Sequence, residues 1–268
     1  VFGGDTHKGM LDMSGGSIEG NGAGENGGSY EGSGGGVYIK SGTFTMTGGE
    51  IKTNNAKNGG GVALDEGGTL ELSGSGKIIN NTAKNIGNGG GICVGTRENT
   101  DDNTGTLTMT GGEISGNTAT DAGTLAGGGI YSAYKLTVGD SAQIKTNHAS
   151  GAGGYGGGIA TTKDSTFDFT GGTVSGNTAN GAGKGIYVSY FNSSPAYMKM
   201  SGGAKVDSNN DVHLGSTSGN PAFITVTGAL SNSPAATLTM DNSAGYAEGR
   251  EVVKGGVYTL TAEDIARF

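Results

Sequence analysis

Three short marks recur in fixed order along this chain, and their recurrence restricts the fold more than any other feature. The first is a glycine triplet followed by an apolar residue, as in Gly59-Gly60-Gly61-Val62 and Gly127-Gly128-Gly129-Ile130, with a degenerate copy at Gly183-Lys184-Gly185-Ile186. The second is an alternating apolar pair: Leu11/Met13, Phe44/Met46, Leu70/Leu72, Leu107/Met109, Leu136/Val138, Phe167/Phe169 and Met198/Met200. The third is a β-branched residue with asparagine three positions later, which gives the series Asn21, Asn54, Asn81, Asn117, Asn147, Asn177 and Asn209. A period of roughly 30 residues is the signature of a solenoid, propeller or array.

The marks themselves choose among these. Apolar residues alternate with polar ones, the period-2 pattern of a half-buried strand. Three short strands per unit suit a coil, whereas a propeller blade needs four strands and roughly 40 residues. The sequence therefore predicts an all-β chain: a right-handed parallel β-helix of about seven three-strand coils. Variable spacing between marks falls in loops that leave the coil and return to it. The glycines supply tight corners. The asparagines are expected to form an internal ladder at a turn, bonding each other and the bend.

Residues 1–33 read as an irregular N-terminal coil, 34–214 as regular coils and 215–268 as a small β-rich C-terminal cap. In that last part Phe223–Val226 and Thr237–Met240 alternate as strands, and Thr261-Ala262-Glu263-Asp264 has the form of a capped helix start. A cap there would hide the edge of the last coil. Val1-Phe2-Gly3-Gly4 reads as a start part-way into a coil.

Glycine supplies 59 of 268 residues, but in patterned positions, which argues for corners rather than disorder. The net charge is −8 and the arginines are Arg97, Arg250 and Arg267, so no basic stripe exists to meet the phosphates of a nucleic acid. The single cysteine, Cys93, excludes an intrachain disulfide and is expected on the outward side of its strand. No apolar run reaches membrane-spanning length.

Chemistry is sparse. Asp12, Glu71 and Asp168 are outward acids on one face, but coils apart. His7, His148 and His213 are scattered. The loop around Glu98, Asp101 and Asp102 offers oxygen ligands for Ca²⁺, against a default of a solvated loop; no other cofactor is expected. Thr45, Thr108 and Thr137 lie in register, but acids and Lys199 interrupt the row. Tyr38, Tyr131 and Tyr187 share one outward position, and with Tyr134, Tyr190 and Phe191 they form a candidate aromatic binding strip.

The pattern resembles the repeats of polymorphic outer-membrane protein adhesins of bacteria. That family pairs a GGA-plus-aliphatic motif with F-x-x-N. Here Gly-Gly-Gly-Val/Ile stands for the first, and Ile51-Lys52-Thr53-Asn54 and Ile114-Ser115-Gly116-Asn117 stand for the second, with Ile or Val in place of Phe. The resemblance covers about residues 11–214. It implies a surface-exposed adhesin or passenger segment, and with the sparse chemistry the expected role is a non-catalytic, extracellular stalk or adhesive segment. Its partner would be a protein or glycan of a host or neighbouring cell, or a second copy of itself. The alternative is a polysaccharide-active β-helix, either a lyase or a glycoside hydrolase.

Overall fold

The computed structural model describes residues 9–24, 32–85, 87–95, 104–120, 125–151, 153–162, 165–191, 194–217, 220–241 and 248–268. It is a parallel β-solenoid of about seven turns. Three sheets run along its axis: one of fourteen strands bent into two faces, one of eight, and one of five dipeptide strands. Stacking sets like on like. Leu107 lies between Leu70 and Leu136, and Ile114 between Ile78 and Ile144. The inward members of every alternating pair in the regular coils are buried, and they merge into one core running the length of the stack. Each buried Leu, Ile or Phe contributes on the order of 1.5–3 kcal/mol by leaving water.

A regular coil holds four pairing segments, not the three predicted. In one coil these are Ile130–Ser132, Lys135–Val138, Gln143–Lys145 and His148–Ala149. The additional segment is the dipeptide after the ladder asparagine, whose small Ala56, Ala83, Ala119 and Ala149 are buried, the last three in a small cluster with Ala126. The glycine corner follows it and is held by close approach between coils. Gly127 has φ +59°, which favours glycine. A Cβ on Gly128 would stand 2.4 Å from the Gly157 carbonyl oxygen of the next coil. Lys184 takes that middle position in the last triplet, where no further glycine corner stacks above it. Its N–H donates to the Asp211 carboxylate instead, at 2.7 Å.

The asparagines are saturated. The Asn117 side-chain N–H₂ donates to Ile78 O at 2.9 Å and to Asn147 Oδ1 at 3.0 Å. Its own Oδ1 accepts from the Asn81 backbone N–H at 2.9 Å and the Asn81 side chain at 3.0 Å. Asn54, Asn81 and Asn147 repeat this pattern, and Asn54, Asn81, Asn117, Asn147 and Asn177 are 0–1% exposed. Asn21 joins at the exposed end by donating to Asn54 Oδ1.

At the other end Asn210, not Asn209, continues the ladder: it accepts from Asn177, while Asn209 is exposed. The reason is a shortened coil. Asn210 runs into Asp211 and the strand Val212–Leu214 without a dipeptide strand or glycine corner between them. In earlier coils the carbonyl of each ladder asparagine accepts the N–H of the next coil's dipeptide, as Thr178 N–H donates to Asn147 O. Asn177 O has no such dipeptide above it, and the Asn210 side-chain amide donates there at 2.9 Å.

Parallel pairing continues past residue 214. Ile224–Leu230 pairs with Tyr197–Gly202, Val253–Gly255 pairs with Ile224–Leu230, and Leu238–Met240 pairs with Val212–Leu214. Ile224/Val226 and Leu238/Met240 keep the phase of the core columns, so these three strands add to the sheets of the stack. The closing element is the helical turn Ala262–Ile265, with a Thr261/Asp264 capping box. Asp264 is 3% exposed and accepts from the Thr261 hydroxyl and N–H, the Tyr258 hydroxyl and the Leu230 N–H. At the opposite end the strand Gly9–Glu19 pairs on one side only among the described residues, and its Met10 is 75% exposed.

Two outcomes are expected. Asn117→Ala strands the Asn81 donors and the Ile78 carbonyl in a dry interior, at about 1–3 kcal/mol each. Chemical denaturation will show a loss of at least about 3 kcal/mol, against under about 0.5 for the outward Thr137→Ala. The second concerns acid. The Thr261 hydroxyl first, then its N–H with Tyr258 and Leu230, hold the Asp264 carboxyl at about 2 against an ordinary 3.8. A depressed carboxyl gives stability that is present above its unfolded pKa and lost as pH falls through the folded one. Protection of the Leu230 amide against hydrogen exchange, relative to its intrinsic rate, will therefore fall between about pH 4 and 2, and Asp264→Asn will remove that dependence.

Candidate binding surfaces

The outward column of the eight-strand sheet runs Tyr38, Ala63, Cys93, Tyr131, Ala160, Tyr187, His213, Thr239. It is not an exposed aromatic strip. Ala63, Cys93, Tyr131 and Ala160 are 0–1% exposed and form a second small apolar cluster, against which Tyr38, Leu125 and Ala133 pack. Alternation sends these residues outward, but chain between the strands, including Leu125, folds back over them. Cys93 is therefore interior rather than surface. Its thiol donates to Gly95 O at 3.2 Å, and burial, with Asp65 nearby, pushes it well above the ordinary thiol range.

Further along, the rings face one another instead of solvent. Tyr155, from the preceding corner, stacks on Tyr187 with centroids 4.7 Å apart, and Tyr187 stacks on His213 at 5.4 Å. Burial raises the Tyr187 hydroxyl above its usual range. Gly181 makes the room: a Cβ there would lie 2.5 Å from the Tyr155 ring. Tyr134 is half-buried against the core. Tyr190–Phe191 pairs with Ser194–Pro195 as a small antiparallel hairpin, and the side chains of Tyr190 and Phe191 lie outside the described part.

Beside this stack lies a polar network that motif reading missed, because its members come from three separate segments. His213 Nε2 meets Asp241 Oδ1 at 3.1 Å and Nδ1 meets Thr239 Oγ1 at 3.0 Å. Thr239 donates to Asp211, and the Ser216 N–H donates to Asp241 at 2.9 Å. Burial works to raise the Asp241 carboxyl, but the Ser216 N–H and His213 outweigh it and hold it below the usual range. Asp211 also receives the Lys184 N–H, so this network fastens the last coils to one another.

The outward acids of the long sheet share a single column: Asp12, Thr45, Glu71, Thr108, Thr137, Asp168, Lys199. At ~4.8 Å per coil, Asp12 and Glu71 stand roughly 10 Å apart and Glu71 and Asp168 roughly 14 Å. Lys199 closes on Asp168 at 3.2 Å. Neighbouring charges are used the same way: Lys52 bridges Glu19 at 3.2 Å and Glu50 at 2.8 Å, and Lys145 reaches Glu113 at 3.1 Å. Glu98, Asp101 and Asp102 lie outside the described residues, as does His7. His148 is a member of the dipeptide sheet and meets Thr178 Oγ1 at 2.7 Å.

A recess of about 410 Å³ opens at the bend of the long sheet and crosses four successive coils. Ser141, Gln143, Thr173, Ser175 and Asn232 line it with hydroxyls and amides, and Asp140 and Lys205 are its charged members. Gly203 adds no side chain to it, and a Cβ there would meet nothing closer than 3.9 Å.

Comparison with known protein families, with curated proteins and with solved structures finds no match.

Because Cys93 is sealed beneath returning chain, iodoacetamide at pH 8 is expected to alkylate the folded protein at least about tenfold more slowly than the guanidinium-unfolded chain. Mass spectrometry over a time course reads the ratio.

Proposed function

We propose that this chain is a non-catalytic, extracellular segment of a bacterial surface protein: a stiff rod with an adhesive flank. The observation that supports this best is the spacing of the outward acid column Asp12, Glu71 and Asp168. Paired-carboxylate hydrolysis of glycosides works with carboxyl groups about 5–9.5 Å apart. The strands that carry Glu71 and Asp168 stand roughly 14 Å apart, beyond that range, and those that carry Asp12 and Glu71 roughly 10 Å apart, at its limit. Asp168 is also tied to Lys199. An axial stack with saturated ladders is suited to holding a surface away from a cell. The proposed partner is a macromolecule of a host or neighbouring cell.

Two assays on one preparation test this. Microspheres coated with the protein are expected to adhere to a panel of epithelial and bacterial cells above albumin-coated controls. Neutral and acidic polysaccharides incubated with it are expected to gain no new reducing ends or unsaturated products. Cleavage that disappears in Asp168→Ala or Glu71→Ala would overturn the reading and make the chain a polysaccharide-active enzyme.

A further inference from the structure

We propose that the recess at the bend of the long sheet binds a short stretch of a neutral, extended glycan lying along the solenoid axis. This inference rests on the adhesive reading above and names the ligand class.

The lining excludes the other ligand classes. Its two charges are one acid and one base, and Lys205 is already turned to Asp207 at 2.9 Å. A polyanion would find no cationic surface there, on a chain of net charge −8. The recess presents no aromatic side chain and no aliphatic one larger than Ala142, so it lacks the anchors on which protein partners depend. What it offers is hydrogen bonding. The hydroxyls of Ser141, Thr173 and Ser175 make no hydrogen bond to other described residues. Gln143 holds Lys145 through its oxygen, which leaves its N–H₂ available.

The spacing fits as well. Gln143, Thr173 and Lys205 are in register on three consecutive coils. Each step is ~4.8 Å, so these three polar rungs span roughly 10 Å. That is close to the length of one pyranose ring per rung, and a sugar presents hydroxyls at every residue.

Gly203 supplies the means of testing this. Most glycines of this bend are required by the backbone. A Cβ on Gly171 would stand 2.5 Å from the Asp140 nitrogen, and Gly172 has φ +83°. A Cβ on Gly203 would meet nothing closer than Gly171 Cα at 3.9 Å, and Gly203 does not adopt a positive φ. The fold tolerates a side chain at Gly203, and its absence leaves the recess open.

The experiment is affinity electrophoresis of the whole chain through gels containing hydroxyethylcellulose, laminarin, galactomannan, polygalacturonate or denatured casein. Retardation by at least one of the three neutral glycans is expected, with apparent affinity falling at least tenfold in Gly203→Trp and in the Thr173→Ala/Ser175→Ala double variant. Thermal melting of both variants is expected to match that of the parent. The double variant keeps the test decisive if Gly203→Trp lowers the melting temperature. Three results overturn the proposal: no neutral glycan retards the chain, retardation survives both variants, or only casein or polygalacturonate responds to them. Microsphere adhesion separates this failure from that of the broader reading. Adhesion that persists in Gly203→Trp leaves the surface role standing and removes only this recess from it.

Discussion

Each interior ladder asparagine uses both amide hydrogens and two acceptor positions of its oxygen, and that saturation fixes how one coil sits on the next. Asn117 joins three coils at once: it accepts from Asn81, donates to Asn147, and reaches the Ile78 carbonyl below. Sliding one coil by a residue would break four hydrogen bonds among side chains closed off from bulk solvent, and buried amides are costly to leave unpaired. Register in turn sets the apolar columns, since a one-residue slip exchanges inward and outward faces. The glycine corner depends on the same spacing, because its coils approach too closely for any Cβ at Gly128.

This dependence explains what was legible in the residues. A repeat of like residues at fixed order is readable because the stack makes them touch, so the parallel solenoid, its core columns and the Asn54–Asn177 ladder follow from the pattern. The Thr-Ala dipeptide strands were as regular as the rest, as Asn81-Thr82-Ala83 and Asn117-Thr118-Ala119 show, but two residues are too few to display a period. Asn209 keeps the spacing of complete coils, three residues after its β-branched Val206, but the last coil is shorter by a strand and a corner. The closing turn was readable in detail, since capping depends on neighbours in sequence: Thr261 and Asp264 are three positions apart and bond one another.

The surfaces were harder to read, for a physical reason. Alternation tells which side of a sheet a residue occupies, but not what lies over that side. Tyr131 and Cys93 point away from the axis and are still fully buried, because intervening chain returns across them. Tyr187 keeps its outward place but turns its face to Tyr155 and His213. The recess at the bend owes its shape to residues with little or no side chain, and its lining is drawn from four coils about 30 residues apart. Nothing local in the sequence marks such a set.

Every strand lies across the long axis, and each coil is joined to the next by hydrogen bonds directed along it. Tension applied to the two chain ends would therefore load these bonds one coil at a time, like a zipper, rather than all together in shear. Each coil of about 30 residues that pays out would lengthen the tether by roughly 100 Å while the remaining stack stays intact. A solenoid built in this way yields progressively under tension, where strands loaded together in shear would give way at once.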